Sequence, residues 1–286
     1  KSYFFPPELV VSRAEKTTTG WEFSDVEDDP PPRALIGVRA CELAALRRQD
    51  RVFLAGACID SAYQRRRERN VLIAVNCTRC AGTCFCASMG GGPGCASGYD
   101  LALTELDDGF VMQAGSKLGE TLLEEAETRR ASVGEVERAS AAVDAAARDQ
   151  IRRIARDDVG ERLGRRLEDP RWEEIGDRCL ACGNCAAVCP TCFCSSLEEA
   201  SDLMGERVER VRRWDACFGS QFGYMNGGGV RVSAASRYRQ WMMHKLAWWD
   251  EQFGACGCVG CGRCITWCPA GIDLVHEAKL LAEEPR

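Results

Sequence analysis

Two stretches of the chain decide its fold: CLACGNCAAVCP at residues 179–190 and CVGCGRCITWCP at residues 258–269. Both follow the spacing C-x2-C-x2-C-x3-C-P. Three thiolates on such a loop can bind three irons of a cubane, and the fourth, beside proline, ligates a second cluster. The repeat therefore predicts two [4Fe–4S] clusters that exchange one ligand. We expect the first to take Cys179, Cys182, Cys185 and Cys268, and the second to take Cys258, Cys261, Cys264 and Cys189.

Zinc and disulfides are the alternative uses of so many cysteines. Structural zinc sites pair two C-x2-C hooks or mix cysteine with histidine, and neither motif does so. The chain has 19 cysteines and only 2 histidines. An odd cysteine count without a secretory segment argues against a disulfide framework. We therefore expect reduced, metal-bound thiols and a cytoplasmic protein.

The amino-acid composition limits the number of domains and the classes of protein to which the chain can belong. The 286 residues are 45% hydrophobic and 28% charged, enough for one large or two modest domains with a buried core. The net charge of −6 does not suit a nucleic-acid binder, which would present a basic surface. No apolar run approaches the roughly 18–20 residues that span a bilayer, so we expect no membrane insertion.

The N-terminal region has the pattern of a small α/β layer. After an irregular entry segment at 1–33, short apolar runs at 34–38, 70–75 and 109–113 predict strands, and 41–48 predicts a helix. The second strand leads directly into the run CTRCAGTCFC. This density of thiols on one loop, with Cys41 after the neighbouring strand, suggests a further metal site. Buried inert thiols are the alternative.

The rest of the chain divides into a connector and a second cysteine-rich part. Within 116–170, apolar residues recur at helical spacing and predict an amphipathic connector without chemistry of its own; they are Val136, Ala139, Val143, Ala147, Ile151 and Ile154. From 171 to 286 we expect a mostly α domain, with helices near 196–204 and 236–249. The predicted fold class is α+β, with an N-terminal domain at 1–115, the connector at 116–170 and the dicluster domain at 171–286.

Several other sequence features are not assigned to any of these metal sites. We interpret the isolated Cys58 and Cys95 as inert thiols. The spacing of Cys192, Cys194 and Cys217 does not decide what these three residues do. The glycine-rich runs at 89–94 and 226–229 lack the spacing of a phosphate loop, and we interpret them as turns beside a cluster. A basic aromatic helix favours an interface or core role; it carries Arg237, Tyr238, Arg239, Trp241 and His244.

An ordered series of motifs resembles the 4Fe–4S dicluster proteins, which include the beta subunit of cytoplasmic sulfhydrogenases and the iron–sulfur subunit of anaerobic sulfite reductase. The motifs are GVRACE at 37–42, TCFCASMG at 83–90, GYDLALTEL at 98–106, CPTCFC at 189–194, WDAC at 214–217, RYR at 237–239 with His244-Lys245, and GCVGCGRC at 257–264. The resemblance covers most of the chain from about Leu35. It implies an α-helical ferredoxin arrangement for the C-terminal part.

The resemblance also implies a third cluster. The recurrent N-terminal cysteines of the family match Cys41, Cys77, Cys84 and Cys86, which become the candidate ligands of a third [4Fe–4S] cluster. Cys58, Cys80, Cys95 and Cys256 depart from the family pattern, and so does Ala40, where the family has proline. Cys80 keeps the assignment open, because Cys77-x2-Cys80 is itself a good ligand pair.

Three functions compete. The resemblance implies a non-catalytic electron relay between an FAD subunit that exchanges electrons with NAD(P)H and either a [NiFe] hydrogenase module of small and large subunits or a sulfite-reducing subunit. A free ferredoxin-like carrier is the second possibility, although such carriers are small and acidic. A catalytic subunit with its own flavin is the third, and we find neither a nucleotide-binding fingerprint nor an acid–base constellation to support it.

Overall fold

The computed structural model describes residues 1–283, and it has the expected α+β class. Its strands are β1 (Glu8–Thr17), β2 (Gly20–Asp25), β3 (Ala34–Arg39), β4 (Val71–Val75), β5 (Leu101–Leu106), β6 (Gly109–Ala114), β7 (Ser195–Ser201), β8 (Arg207–Trp214), β9 (Tyr224–Met225) and β10 (Gly228–Gly229). Its helices are α1 (Ala40–Phe53), α2 (Ser61–Glu68), α3 (Lys117–Glu125), α4 (Val133–Arg148), α5 (Arg156–Gly164), α6 (Arg171–Arg178), α7 (Asn184–Ala187), α8 (Ala234–Met243), α9 (Trp249–Phe253), α10 (Arg263–Thr266) and α11 (Leu274–Ala282). A π-helical turn at His244–Trp248 joins α8 to α9.

None of the helices within residues 1–283 has the length and apolar character needed to cross a membrane.

The predicted N-terminal α/β layer is confirmed. Strands β3, β4 and β5 run parallel and β6 closes the sheet antiparallel, in the order β3-β4-β5-β6. Helix α1 packs Leu43 and Leu46 against Leu72 and Ala74 of β4 in one buried apolar cluster. Because carboxyl ends of neighbouring parallel strands meet at the same edge of a sheet, the residues that follow β3 and β4 lie side by side.

A second sheet, in the order β2-β1-β8-β7, pairs the N-terminal hairpin with two strands that follow the first cysteine motif. The expectation of an irregular segment at 1–33 is wrong, because β1 and β2 form a hairpin and β1 pairs along β8. The helix expected near 196–204 is also wrong. Strand β7 forms there and pairs with β8 along its whole length, and across this ladder Glu199 lies opposite Arg210 and accepts a hydrogen bond from it at 3.0 Å.

The helices of the C-terminal part enclose most of its tryptophans. Trp172 of α6 and Trp249 of α9 are among the largest fully buried side chains. Helices α6 and α8 approach closely, since a Cβ on Gly176 would lie 2.7 Å from the Cβ of Ala235. The predicted helix at 236–249 exists as α8, the π turn and the first residue of α9.

The connector is helical, but its main helix is shorter than the apolar periodicity suggests. Helix α4 begins with a capping box between Ser132 and Glu135 and ends at Arg148. The chain then turns into the interior, so that Ile151 is exposed and Gln150 is buried. The domain boundaries at 115/116 and 170/171 stay a prediction.

Candidate iron–sulfur centres

The first motif and the end of the second share one cavity. Cys179, Cys182 and Cys185 line it together with Cys268 from the second motif, and Cys264 also reaches its wall. Burial raises the pKa of the Cys179 and Cys185 thiols. The structure thus brings together the four residues expected at the first cluster.

The three cysteines at the head of the second motif, Cys258, Cys261 and Cys264, lie close enough for their thiols to influence one another. Burial raises the pKa of the thiols of Cys258, Cys261 and Cys264, and the neighbouring Cys189 thiol raises each of them further. Cys189 comes from the end of the first motif. Each loop therefore sends its last cysteine toward the other loop, as the spacing predicts.

Backbone amides approach the sulfurs at both loops. Ala181 donates from its amide to Cys179 Sγ, Gly260 donates to Cys258 Sγ, and Ile272 donates to Cys268 Sγ, each at 3.4 Å. Hydrogen bonds of this kind favour the thiolate and tune the potential of an iron–sulfur cluster. Within residues 1–283, no three His, Cys, Asp or Glu side chains gather tightly enough to hold a single metal ion.

The N-terminal cysteines line a separate cavity of about 460 Å³. Cys41 is the second residue of α1, which directly follows β3, and Cys77 follows β4, so the parallel strands place both thiols at one edge of the sheet. Cys84 and Cys86 come from the loop that follows, and Cys80 lines the same cavity. The expected third set is therefore assembled, and the choice between Cys77 and Cys80 stays a prediction. Cys58 is exposed and Cys95 does not line this cavity.

Two polar residues that the sequence did not single out reach the N-terminal thiols. Gln150, from the connector, donates from Nε2 to Cys86 Sγ at 3.2 Å and to Cys80 Sγ at 3.3 Å. The connector therefore takes part in the site, contrary to the expectation that it is only a spacer. Arg263 of the second motif pairs with Glu42 at 2.7 Å and extends Nη1 to 4.0 Å from Cys41 Sγ. No periodicity marks either residue, because each acts through a long-range contact.

The N-terminal cysteine loop (residues 83–86) packs directly on the second motif. Phe85 donates its amide to the carbonyl of Gly260 at 2.9 Å, and the hydroxyls of Thr83 and Thr266 lie 2.8 Å apart. Cys261 also lines the N-terminal cavity. The three cysteine sites therefore form a row, with the second motif in the middle.

Comparisons with known proteins agree with this arrangement. The family described as "4Fe-4S dicluster domain" matches residues 178–272, which contain both motifs. The chain is 30% identical over 288 aligned positions to the protein named sulfhydrogenase 2 subunit beta of Pyrococcus furiosus, covering 96% of this chain and 80% of that protein. The chain belongs to the family of sulfhydrogenase beta subunits.

No solved structure matches the chain significantly. As a member of the sulfhydrogenase beta-subunit family with a dicluster domain, the protein is an iron–sulfur electron-transfer subunit.

A further group of thiols in this beta-subunit homologue comes from the segments that follow the first motif in the sequence. Cys192, Cys194 and Cys217 line a small cavity together with His244 and Lys245. Strands β7 and β8 hold two of these thiols near each other, since the amide of Asp215 donates to the carbonyl of Cys194 at 3.0 Å. A hydrogen bond from Cys217 lowers the pKa of the Cys194 thiol to about 7. Trp241 of the basic aromatic helix α8 lines both this cavity and the first-motif cavity, and it is buried. Of the two expected roles for this helix, the structure therefore shows the core role.

Proposed function

We propose that this chain conducts electrons between an FAD subunit that oxidises NAD(P)H and a [NiFe] hydrogenase module, within a cytoplasmic complex. The observation that carries the proposal is the row of three cysteine sites. Bound there, three [4Fe–4S] clusters would supply one-electron carriers in series. The name of the Pyrococcus relative favours a hydrogenase over a sulfite reductase as the terminal partner.

We assign the third cluster to Cys41, Cys77, Cys84 and Cys86. The support is their convergence on one cavity, the resemblance of the surrounding motifs, and the contact between this loop and the second motif. Arg263 places a positive charge between the N-terminal thiols and the second motif. A cation at this position offsets the negative charge that thiolates and reduced clusters accumulate there.

The chain's own residues hold and insulate the clusters rather than transform a substrate. Tyr238 and Trp241 close the first-motif cavity with buried aromatic surface, which excludes water and lowers the local dielectric. Two large apolar side chains within the motifs are exposed: Leu180 is 68% exposed and Trp267 is 61% exposed. Both flank cluster cysteines, so they suit contacts with redox partners.

The test uses the purified holoprotein with and without a flavin subunit. Alone, it should accept electrons from dithionite but show no NAD(P)H oxidation, hydrogen uptake or sulfite reduction. Adding the flavin subunit should give NAD(P)H-dependent reduction of its clusters, followed by absorbance bleaching. Bleaching by NAD(P)H without any flavoprotein would contradict the proposal, and so would a preparation without iron and sulfide.

A further inference from the structure

Lys245 is a buried cation in an unusual position. It lies in the π-helical turn His244–Trp248, and its side chain is only 3% exposed. Its ammonium group lies 4.6 Å from the centre of the Trp249 ring. Single π turns interrupt α-helices frequently at functional sites. A buried charge of this kind is costly unless an opposite charge compensates it.

The acidic groups that act on Lys245 are thiols. Burial lowers the pKa of the ammonium group, but the neighbouring Cys189 and Cys192 thiols outweigh burial and leave this pKa raised. Cys189 is the cysteine that the first motif sends to the second.

A short polar chain links Lys245 to Cys189. Lys245 Nζ donates to Thr191 Oγ1 at 2.9 Å, and Thr191 Oγ1 lies 3.2 Å from Cys189 Sγ. Thr191 is fully buried, so bulk water does not screen this chain. A hydroxyl can accept from the ammonium group and donate to the sulfur at the same time.

We propose that Lys245 is the internal counter-charge of the cluster that Cys189 ligates, and that it sets the reduction potential of that cluster through Thr191. The inference rests on the proposed function. Reduction adds one negative charge to a cluster, and a fixed cation nearby stabilises the reduced form more than the oxidised form. Because the site is buried, the effect of the charge is large compared with that of a surface lysine.

The test is a redox titration of the holoprotein, followed by EPR, with matched variants. K245M removes the charge at similar volume, K245R keeps it, and K279M removes an exposed charge from α11 as the control. At a fixed potential, K245M should lower the reduced-to-oxidised ratio of one cluster about tenfold, which is a shift of about 59 mV to a more negative potential for one electron. K245R should recover most of the wild-type potential, and K279M should behave as wild type.

T191V provides a second test, because it removes only the hydroxyl between the two groups. It should shift the same cluster in the same direction by a smaller amount, and it decides the matter if K245M does not retain its iron. Unchanged potentials in a K245M protein with full iron content would overturn the inference and would show that the Cys192 or Cys194 thiolate is the partner of this lysine instead. An equal shift of all clusters would also overturn it. Neither result would affect the proposed relay function, which fails only if the wild type lacks clusters or reacts with NAD(P)H alone.

Discussion

The two copies of the cysteine motif have the same spacing but different surroundings. After the first cysteine of each copy, Leu180 is 68% exposed, whereas Val259 is 2% exposed. The next residue has a positive φ in both copies, 49° at Ala181 and 69° at Gly260. Alanine is tolerated in the first copy, but a Cβ at Gly260 would lie 2.6 Å from the Cα of Cys86.

This difference shows how one ligand pattern can serve two positions in an electron path. The first copy has an exposed side, which in the proposed relay would exchange electrons with a partner. The second copy is covered by the N-terminal cysteine loop, and in the proposed relay it would pass electrons between neighbouring clusters. The covering loop, rather than the motif itself, makes the second site internal.

The largest effect is expected from removing one ligand from each copy. C185A and C264A should each lose about four irons per chain, the content of one cubane, and should destabilise the fold because cluster binding is coupled to folding. The difference should lie in the clusters that remain. On the proposed order of the sites, C185A should leave two neighbouring clusters whose reduced forms interact magnetically, whereas C264A should leave the two outer clusters, which should interact more weakly.

Iron and sulfide analysis with EPR of the dithionite-reduced variants measures both effects. Interacting spectra in C264A and isolated spectra in C185A would reverse the proposed order of the row. Retention of all iron in either variant would remove that cysteine from the ligand set.

A second prediction tests which cysteine, Cys77 or Cys80, binds the N-terminal cluster that lies next to the second copy. We expect C77A to lose the N-terminal cluster, about four irons, and C80A to keep it. Cys77 follows β4 and matches a recurrent cysteine of the family, whereas Cys80 departs from the family pattern. Iron content and the EPR signals of the two variants, assayed as full-length proteins, decide between them. If C80A loses the iron and C77A does not, the ligand assignment is wrong while the third site stands.

The sequence was sufficient where a local spacing carries the information. The cysteine motifs, strands β3, β4 and β6 of the α/β layer and the helix that begins near Cys41 all depend on nearby residues, and each was predicted, whereas strand β5 was not. The sheet β2-β1-β8-β7 was missed, because β1 and β8 lie far apart in the sequence and each strand alone has a weak pattern.

The sequence predicted the cysteines of the sites but not the polar residues that contact them. Gln150, Thr191 and Lys245 are polar residues whose proximity to the thiols is set by tertiary packing, and no local pattern distinguishes them from surface residues. Strand β7 has helix-favouring residues such as Leu197, Glu198 and Ala200, but pairing with β8 overrides that preference. The missing information in each case is a long-range contact.

The smallest expected effect concerns one glycine in each copy, at the residue before α7 and before α10. Gly183 and Gly262 have nearly the same φ, 73° and 72°, so alanine should cost each about 1–2 kcal/mol of left-handed backbone strain. Their surroundings differ, because a Cβ at Gly183 meets only Phe218 at 3.8 Å, whereas one at Gly262 would lie 2.3 Å from the carbonyl oxygen of Thr83. G262A must therefore push the N-terminal loop away and should cost roughly 1–3 kcal/mol more than G183A. Thermal unfolding of the two holoproteins measures this difference, and the G262A protein should also release its N-terminal iron first under a chelator. Equal stability and equal iron release in the two variants would mean that the N-terminal loop does not cover the second copy, and the distinction between a terminal and an internal site would be lost.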